Sequence, residues 1–223
     1  MGFDGFPKEG LKFLADLKRN NRREWFEAHK VQYKQVLEGP AKALLETLLP
    51  GLEALAGEAL HGKIFRIHRD IRFSTDKSPY NAHVRIAFHC SGISQANCGQ
   101  KPAFFFSLEP DKVIVGAGSM EFPKMALDRY RNAVVADASG RLLEKILAKC
   151  TSKNGFRIEA AELKRVPAGL DAAHPRAELL KHKSLTVWHE ESPGTVHESQ
   201  KCAKHLLEQY KAMQPLFAWL NGI

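Results

Sequence analysis

Apolar positions in the first sixty residues recur at helical spacing. Leu11, Phe13, Leu14 and Leu17 follow Pro7, a residue suited to a first helical turn, and predict one helix. Asn20-Asn21 closes it, and Asn21 with Glu24 three residues later reads as the N-cap and capping-box partner of a second helix. Trp25, Phe26, His29, Tyr33 and Val36 mark one face of that helix, and Gly39-Pro40 is expected to break it. Leu44, Leu45, Leu48, Leu49, Leu52, Leu55 and Leu60 continue a helical stripe, with Pro50 as a kink or second break.

The period then falls to two. In KIFRIHRD (63–70), Phe65 and Ile67 alternate with Arg66 and His68, the pattern of a half-buried strand. HVRIAFHC (83–90) sets Val84, Ile86 and Phe88 on one side and His83, Arg85, Ala87 and His89 on the other. AFFFSL (103–108) and KVIVGAG (112–118) flank the turn Glu109-Pro110-Asp111. Helical patterning returns over 125–137 and, after a Ser139-Gly140 stop, over 141–150. Residues 156–167 read as a short hairpin or strand pair, and 175–183 as a helix leading into a strand. ESPGT (191–195) reads as a loop, and 197–220 as an amphipathic helix interrupted at Pro215. The prediction is an α+β fold, an antiparallel sheet packed by N-terminal and C-terminal helices. Residues 1–223 are read as a single domain, helical over about 7–60, sheet over about 62–119 and helix-rich over about 123–221.

Composition adds a direction. The 223 residues are 44% hydrophobic and 26% charged, ample for a core, and the net charge is +8. A basic surplus favours acidic partners such as phosphates, nucleic acid or anionic lipid, without choosing among them. Cys90, Cys98, Cys150 and Cys202 are widely spaced with no C-x-x-C pair, which suits free thiols in a reducing compartment. The first residues have neither the basic nor the apolar region of a signal peptide, and the longest apolar stretch, 41–60, is broken by Lys42, Glu46, Pro50 and Glu53. A cytoplasmic protein with no membrane partner is expected.

The chemistry gathers in RIHRDIRFSTDKSPY (66–80), where three arginines and a lysine crowd beside the core-like Ile67, Ile71 and Phe73. On an extended strand Arg66, His68, Asp70 and Arg72 share one face, about 6–7 Å apart, with Arg69 on the other. Arginine offers a planar fork matched to carboxylate or phosphate, Lys77 adds a point charge, and the Tyr80 hydroxyl can donate to an oxyanion. Asp70 would orient a guanidinium or act as a base. Crowded arginines need a negative group between them, and two sources are open: a bound anion, or internal carboxylates such as Glu24, Glu27 or Glu121.

The string Arg66-x-x-Arg69-Asp70-x-Arg72-Phe73-x-x-x-Lys77-x-Pro79-Tyr80 resembles the signature of a mainly bacterial domain-of-unknown-function family, numbered 2461. The likeness extends to residues 3–30, with an N-N-x-x-x-W-F core at Asn20, Asn21, Trp25 and Phe26, to 115–123, and to 163–185. The resemblance implies a cytoplasmic single-domain protein and brings no established activity.

Other motifs weigh less. Gly116-Ala117-Gly118-Ser119 fits no phosphate-binding glycine pattern and reads as a bulge or strand end, and Ser119 is not in a G-x-S-x-G elbow. His83, His89, Cys90 and Cys98 match no zinc spacing, and His189, His197 and His205 are expected on different elements, at the surface. No metal, cofactor or catalytic residue is therefore assigned. The expected site is Arg66, Arg69, Asp70, Arg72, Lys77 and Tyr80, holding the phosphate or carboxylate of a small molecule, with or without catalysis. A nucleic-acid-binding module using the basic surface around 18–23 and 63–85, and a structural or interaction protein with an internally paired cluster, are the alternatives.

Overall fold

The computed structural model describes residues 2–72, 74–90 and 101–223. Three helices come first: α1 (Lys8–Arg19), α2 (Arg23–Tyr33) and α3 (Gly39–Ala56). Gly39-Pro40 does not break the chain. A single π-helical turn at Lys34–Glu38 joins α2 to α3 in one run of helical backbone, and Pro40 follows directly, so the residue with no N–H comes where the helical bonding pattern changes. Pro50 likewise sits inside α3, exposed. The stop is Gly57, whose φ of +74° supplies the left-handed C-cap.

The sheet has six strands: β1 (Leu60–Ile64), β2 (Val84–Cys90), β3 (Ala103–Leu108), β4 (Val113–Ser119), β5 (Arg157–Ile158) and β6 (Leu185–Glu191). Their order is β1-β2-β3-β4-β6-β5, and every pairing is antiparallel. The fold is α+β, as the alternation of periods predicts. Between β4 and β6 run α4 (Lys124–Val135), α5 (Asp137–Ala148), and the short α6 (Ala177–Leu180); α7 (Lys201–Asn221) follows β6. Gly140 does not end a helix. The chain turns at Ala136, and Gly140 lies inside α5, where an added Cβ would meet Arg176 Nε and the Val134 carbonyl oxygen, each at 2.3 Å. The buried Arg176 side chain needs that space, because it donates to the Val134 and Val135 carbonyls at 2.7 and 3.2 Å.

One face of the sheet holds the core. Val84, Ile86 and Phe88 of β2, Phe104 and Phe106 of β3, and Val113, Val115 and Ala117 of β4 all point there. α3 and α7 cover it. Phe104 stacks on Phe217 of α7 at 4.4 Å, and the Tyr210 hydroxyl donates to the Phe105 carbonyl at 2.8 Å. Cys90, Cys150 and Cys202 are free thiols buried in this core, whereas Cys98 lies outside the described residues. Among the described residues, no helix is long and apolar enough to cross a membrane.

Candidate functional site: the outer face of the sheet

The opposite face is built by the alternate residues. The antiparallel register sets Ala87, Phe105, Gly116, Trp188 and Arg157 in one row across five strands. The next row is Arg85, Ser107, Ile114 and Glu190. Gly116 makes the first row possible, since a Cβ there would meet Trp188 Cε3 at 2.3 Å. The indole therefore lies over the glycine, beside Phe105 at 5.5 Å between ring centres, and its Nε1 donates to Thr186 Oγ1 at 2.9 Å. Above this floor is a cavity of about 740 Å³, walled by Phe65, Met120 and residues of the 66–80 segment.

That segment is not the extended strand its alternation suggests. β1 ends at Ile64, and after the Phe65 N–H bonds the Arg85 carbonyl the chain leaves the sheet. It folds into an irregular excursion closed by a His68–Tyr80 bridge, with Arg69 N–H bonding the Pro79 carbonyl and Asn81 N–H the Ile67 carbonyl. Asp76 knots the turn, accepting from the Ser78 backbone and hydroxyl at 2.9 and 2.6 Å. Alternation counts charges but not the turn chemistry of S-T-D-K-S-P, and the turn chemistry decides the shape.

Helix α2 holds the excursion in place. Asn21 is not the N-cap; that position is Arg22, which makes no side-chain capping bond. The Asn21 amide instead bonds both peptide groups of Tyr80, taking its N–H at 3.0 Å and donating to its carbonyl at 2.9 Å. Phe26 stacks on the Tyr80 ring at 4.2 Å. Trp25 packs on Phe13 and His29.

The six expected residues divide. Arg66, Arg69 and Asp70 line the cavity; Arg72, Lys77 and Tyr80 do not. Tyr80 is buried beside Phe26. Lys77 donates to the Ile71 carbonyl at 3.0 Å, and Arg72 grips Asp70 through Nε and Nη2 at 2.9 and 2.6 Å. That bidentate bond holds the exposed Asp70 carboxyl below its ordinary pKa. Arg69 is paired with Asp76 and lies 3.3 Å from the Ser74 hydroxyl. Phe73, expected in the core, lies outside the described residues.

The cavity recruits charges that strand reading of 66–80 misses. Arg85 and Glu109 come from β2 and the β3–β4 turn, and Arg157, Glu159 and Glu190 from the β5–β6 edge. Arg157 is held by Glu159 at 3.0 Å and Glu190 at 3.5 Å, and Glu190 also by Lys112 at 3.1 Å. Arg85 has only a loose approach to Glu109, at 4.0 Å. Arg66 makes no ion pair among the described residues. His83, between these groups, is pushed down to about 4 by burial and then by Arg85 and Arg69. Arg85 and His83 were visible as the polar side of β2; Trp188 and Arg157 had no signal, because only register places them there.

The model of a conserved hypothetical protein family, DUF2461, matches residues 9–219. The chain belongs to that family. No curated protein sequence matches it. For this DUF2461 chain the resemblance read at 66–80 and 20–26 now has a physical content. Asn21 and Phe26 fix Tyr80, and the paired arginines fold the excursion that closes one end of the cavity.

Proposed function

We propose that this DUF2461 protein binds a small molecule carrying one acidic group, carboxylate or phosphate ester, on a planar apolar body. The acid meets Arg66 and Arg85, and the body lies on Trp188 and Phe105. The observation that carries this reading is the juxtaposition, in one cavity of about 740 Å³, of an aromatic floor and Arg66, which forms no ion-pair contact among the described residues and feels Asp70 only through space. A volume of that order suits a metabolite-sized ligand.

The charge balance limits the ligand. The lining holds Arg66, Arg69, Arg85 and Arg157 against Asp70, Glu109, Glu159 and Glu190. Arg69 and Arg157 are committed to carboxylates, so the positive charge available is that of Arg66 with the loosely held Arg85. This favours one acidic group over a polyphosphate chain, and it counts against nucleic acid, which needs an unbroken positive track. The Arg69–Asp76 and Arg72–Asp70 pairs keep a structural role beside the site.

The test is a thermal-shift and calorimetric comparison of phenyl phosphate and 2-naphthoate with inorganic phosphate. The aromatic anions should bind and inorganic phosphate should bind far more weakly. Equal binding of all three, or none, overturns the reading.

A further inference from the structure

A second constellation lies away from the cavity, where β6 ends. Glu191 is the last residue of β6, His197 lies in the nine-residue crossover 192–200, and His205 is in the second turn of α7. The spacing of histidines at eight-residue intervals points to separate elements, and they are separate. The fold nevertheless brings two of them onto one carboxylate. His205 Nε2 is 2.8 and 3.0 Å from the two Glu191 oxygens, and His197 Nε2 is 3.0 Å from Oε1. The ligand-capable atoms of all three residues lie within 4.8 Å of one another. His197 is buried, and its backbone is clamped by the Phe6 N–H at 2.8 Å and by its own bond to Gly194 at 2.9 Å.

We propose that Glu191, His197 and His205 form a binding site for a late first-row divalent cation, zinc being the reference case. Two imidazole nitrogens and one carboxylate oxygen, with a position left for water, are a known zinc donor set. Calcium and magnesium take oxygen ligands in larger number, and nitrogen donors select against them. His189 Nε2 lies 3.8 Å from Glu191 Oε2, on the same carboxylate. Burial works to raise the Glu191 carboxyl, but the bonds from His205 and His197 outweigh it and hold its pKa below the ordinary value.

Loading has a structural consequence. The Gly194 N–H donates to His197 Nδ1 at 3.1 Å, which places the ring proton on Nε2, facing Glu191. A cation on Nε2 replaces that proton, the neutral ring then carries its proton on Nδ1, and the Gly194 amide must turn away. Gly194 opens the turn that the His197 N–H closes on its carbonyl, and a Cβ added there would meet nothing within 4 Å. Metal uptake is therefore coupled to a rearrangement of this turn.

The experiment uses the untagged full chain, stripped by chelator, in a Cys98→Ser background so that a thiol outside the described residues cannot give the signal. Zinc is titrated by calorimetry, and cobalt(II) by visible absorption, with magnesium as the control. One equivalent of zinc is expected, with a Kd of about 1 μM or tighter, equivalent to about 8 kcal/mol. His205→Ala and Glu191→Gln should each weaken it at least about tenfold, the scale of losses at metal sites. Arg66→Ala, in the cavity, should leave it unchanged, so failure here and failure of the cavity reading are separable. Should a variant fail to fold, the parent's cobalt spectrum decides: intense low-symmetry bands support the site, and only the weak octahedral spectrum overturns it. No zinc uptake at about a hundredfold above that Kd, or equal uptake by the variants, leaves a hydrogen-bonded His–Glu–His clasp and ends the proposal.

Discussion

The indole of Trp188 rests on the α-carbon of Gly116, closely enough that a methyl group there would sit 2.3 Å from Cε3. Both residues belong to central paired strands, so the glycine is a matter of packing across the sheet and not of turn geometry. Gly116→Ala should destabilise the protein by about 1–3 kcal/mol, the usual cost of overpacking. It should also tilt the indole into the cavity and weaken binding of 2-naphthoate. Urea denaturation of Gly116→Ala alone and in a Trp188→Leu background gives the coupling between the two sites. Most of the cost should vanish in the double variant; an undiminished cost would place the strain elsewhere.

Arg66 and Arg72 are equivalent in the sequence pattern and differ in the structure. Arg66 lines the cavity, whereas Arg72 stands outside it and holds Asp70. Arg66→Ala should weaken phenyl phosphate binding by a factor of ten to a hundred, matching about 1.5–3 kcal/mol for a hydrogen bond to a charged group. Arg72→Ala should change both affinity and stability little, since both partners of its pair are well exposed and solvent screens them. Calorimetry on the two variants separates a binding arginine from a folding one. Equal losses would mean that the cavity does not define the site.

How much was legible in the sequence follows from how local each signal is. The alternation of 83–90 places β2, and the turn Glu109-Pro110-Asp111 brackets β3 and β4, each within a residue or two, although β3 and β4 have no exposed residue on either face. The end of β1 was missed: Arg66, Ile67 and His68 continue the alternation while the Asp76–Ser78 knot pulls the chain off the sheet. Gly39-Pro40 is not the break its composition suggests, because the π turn before it keeps the backbone helical, and Pro50 lies inside α3 rather than between two helices. At the site, Arg66 and Arg69 were readable as a cluster. Trp188, Arg157 and Glu190 reach the same cavity only through the β4–β6 pairing, a contact between segments some seventy residues apart with no sequence pattern of its own.

Asn21 substitutes for a strand neighbour by bonding both sides of the Tyr80 peptide. Asn21→Ala leaves a partly buried N–H and C=O without partners, at a cost of about 1–3 kcal/mol. Asn21→Asp keeps the acceptor for the Tyr80 N–H and loses the donor to its carbonyl, so it should not restore stability. Tyr80→Phe keeps the ring against Phe26 and should leave phenyl phosphate affinity unchanged. Chemical denaturation and calorimetry on the three variants check this. A large loss of affinity in Tyr80→Phe would return the hydroxyl to the ligand.

His83 gives the cavity a pH dependence with a definite sign. Its folded-state pKa is depressed to about 4, from 6.5, first by burial and then by Arg85 and Arg69. Between those values the unfolded chain binds the extra proton and the folded chain does not. Stability should therefore fall as pH drops from about 6.5 toward 4, in addition to any effect of the carboxylates. An anion beside Arg85 offsets the repulsion and raises the His83 pKa, so binding takes up a proton. Affinity for naphthalene-2-sulfonate, ionised throughout this range, should increase from pH 7.5 to pH 5. Asp70, Glu109 and Arg66 also line the cavity, and His68 is the second imidazole there, so His83→Gln and His68→Gln are compared separately. The slope should flatten in His83→Gln and persist in His68→Gln. The same slope in wild type and His83→Gln would show that the anion does not reach the Arg85 end of the cavity.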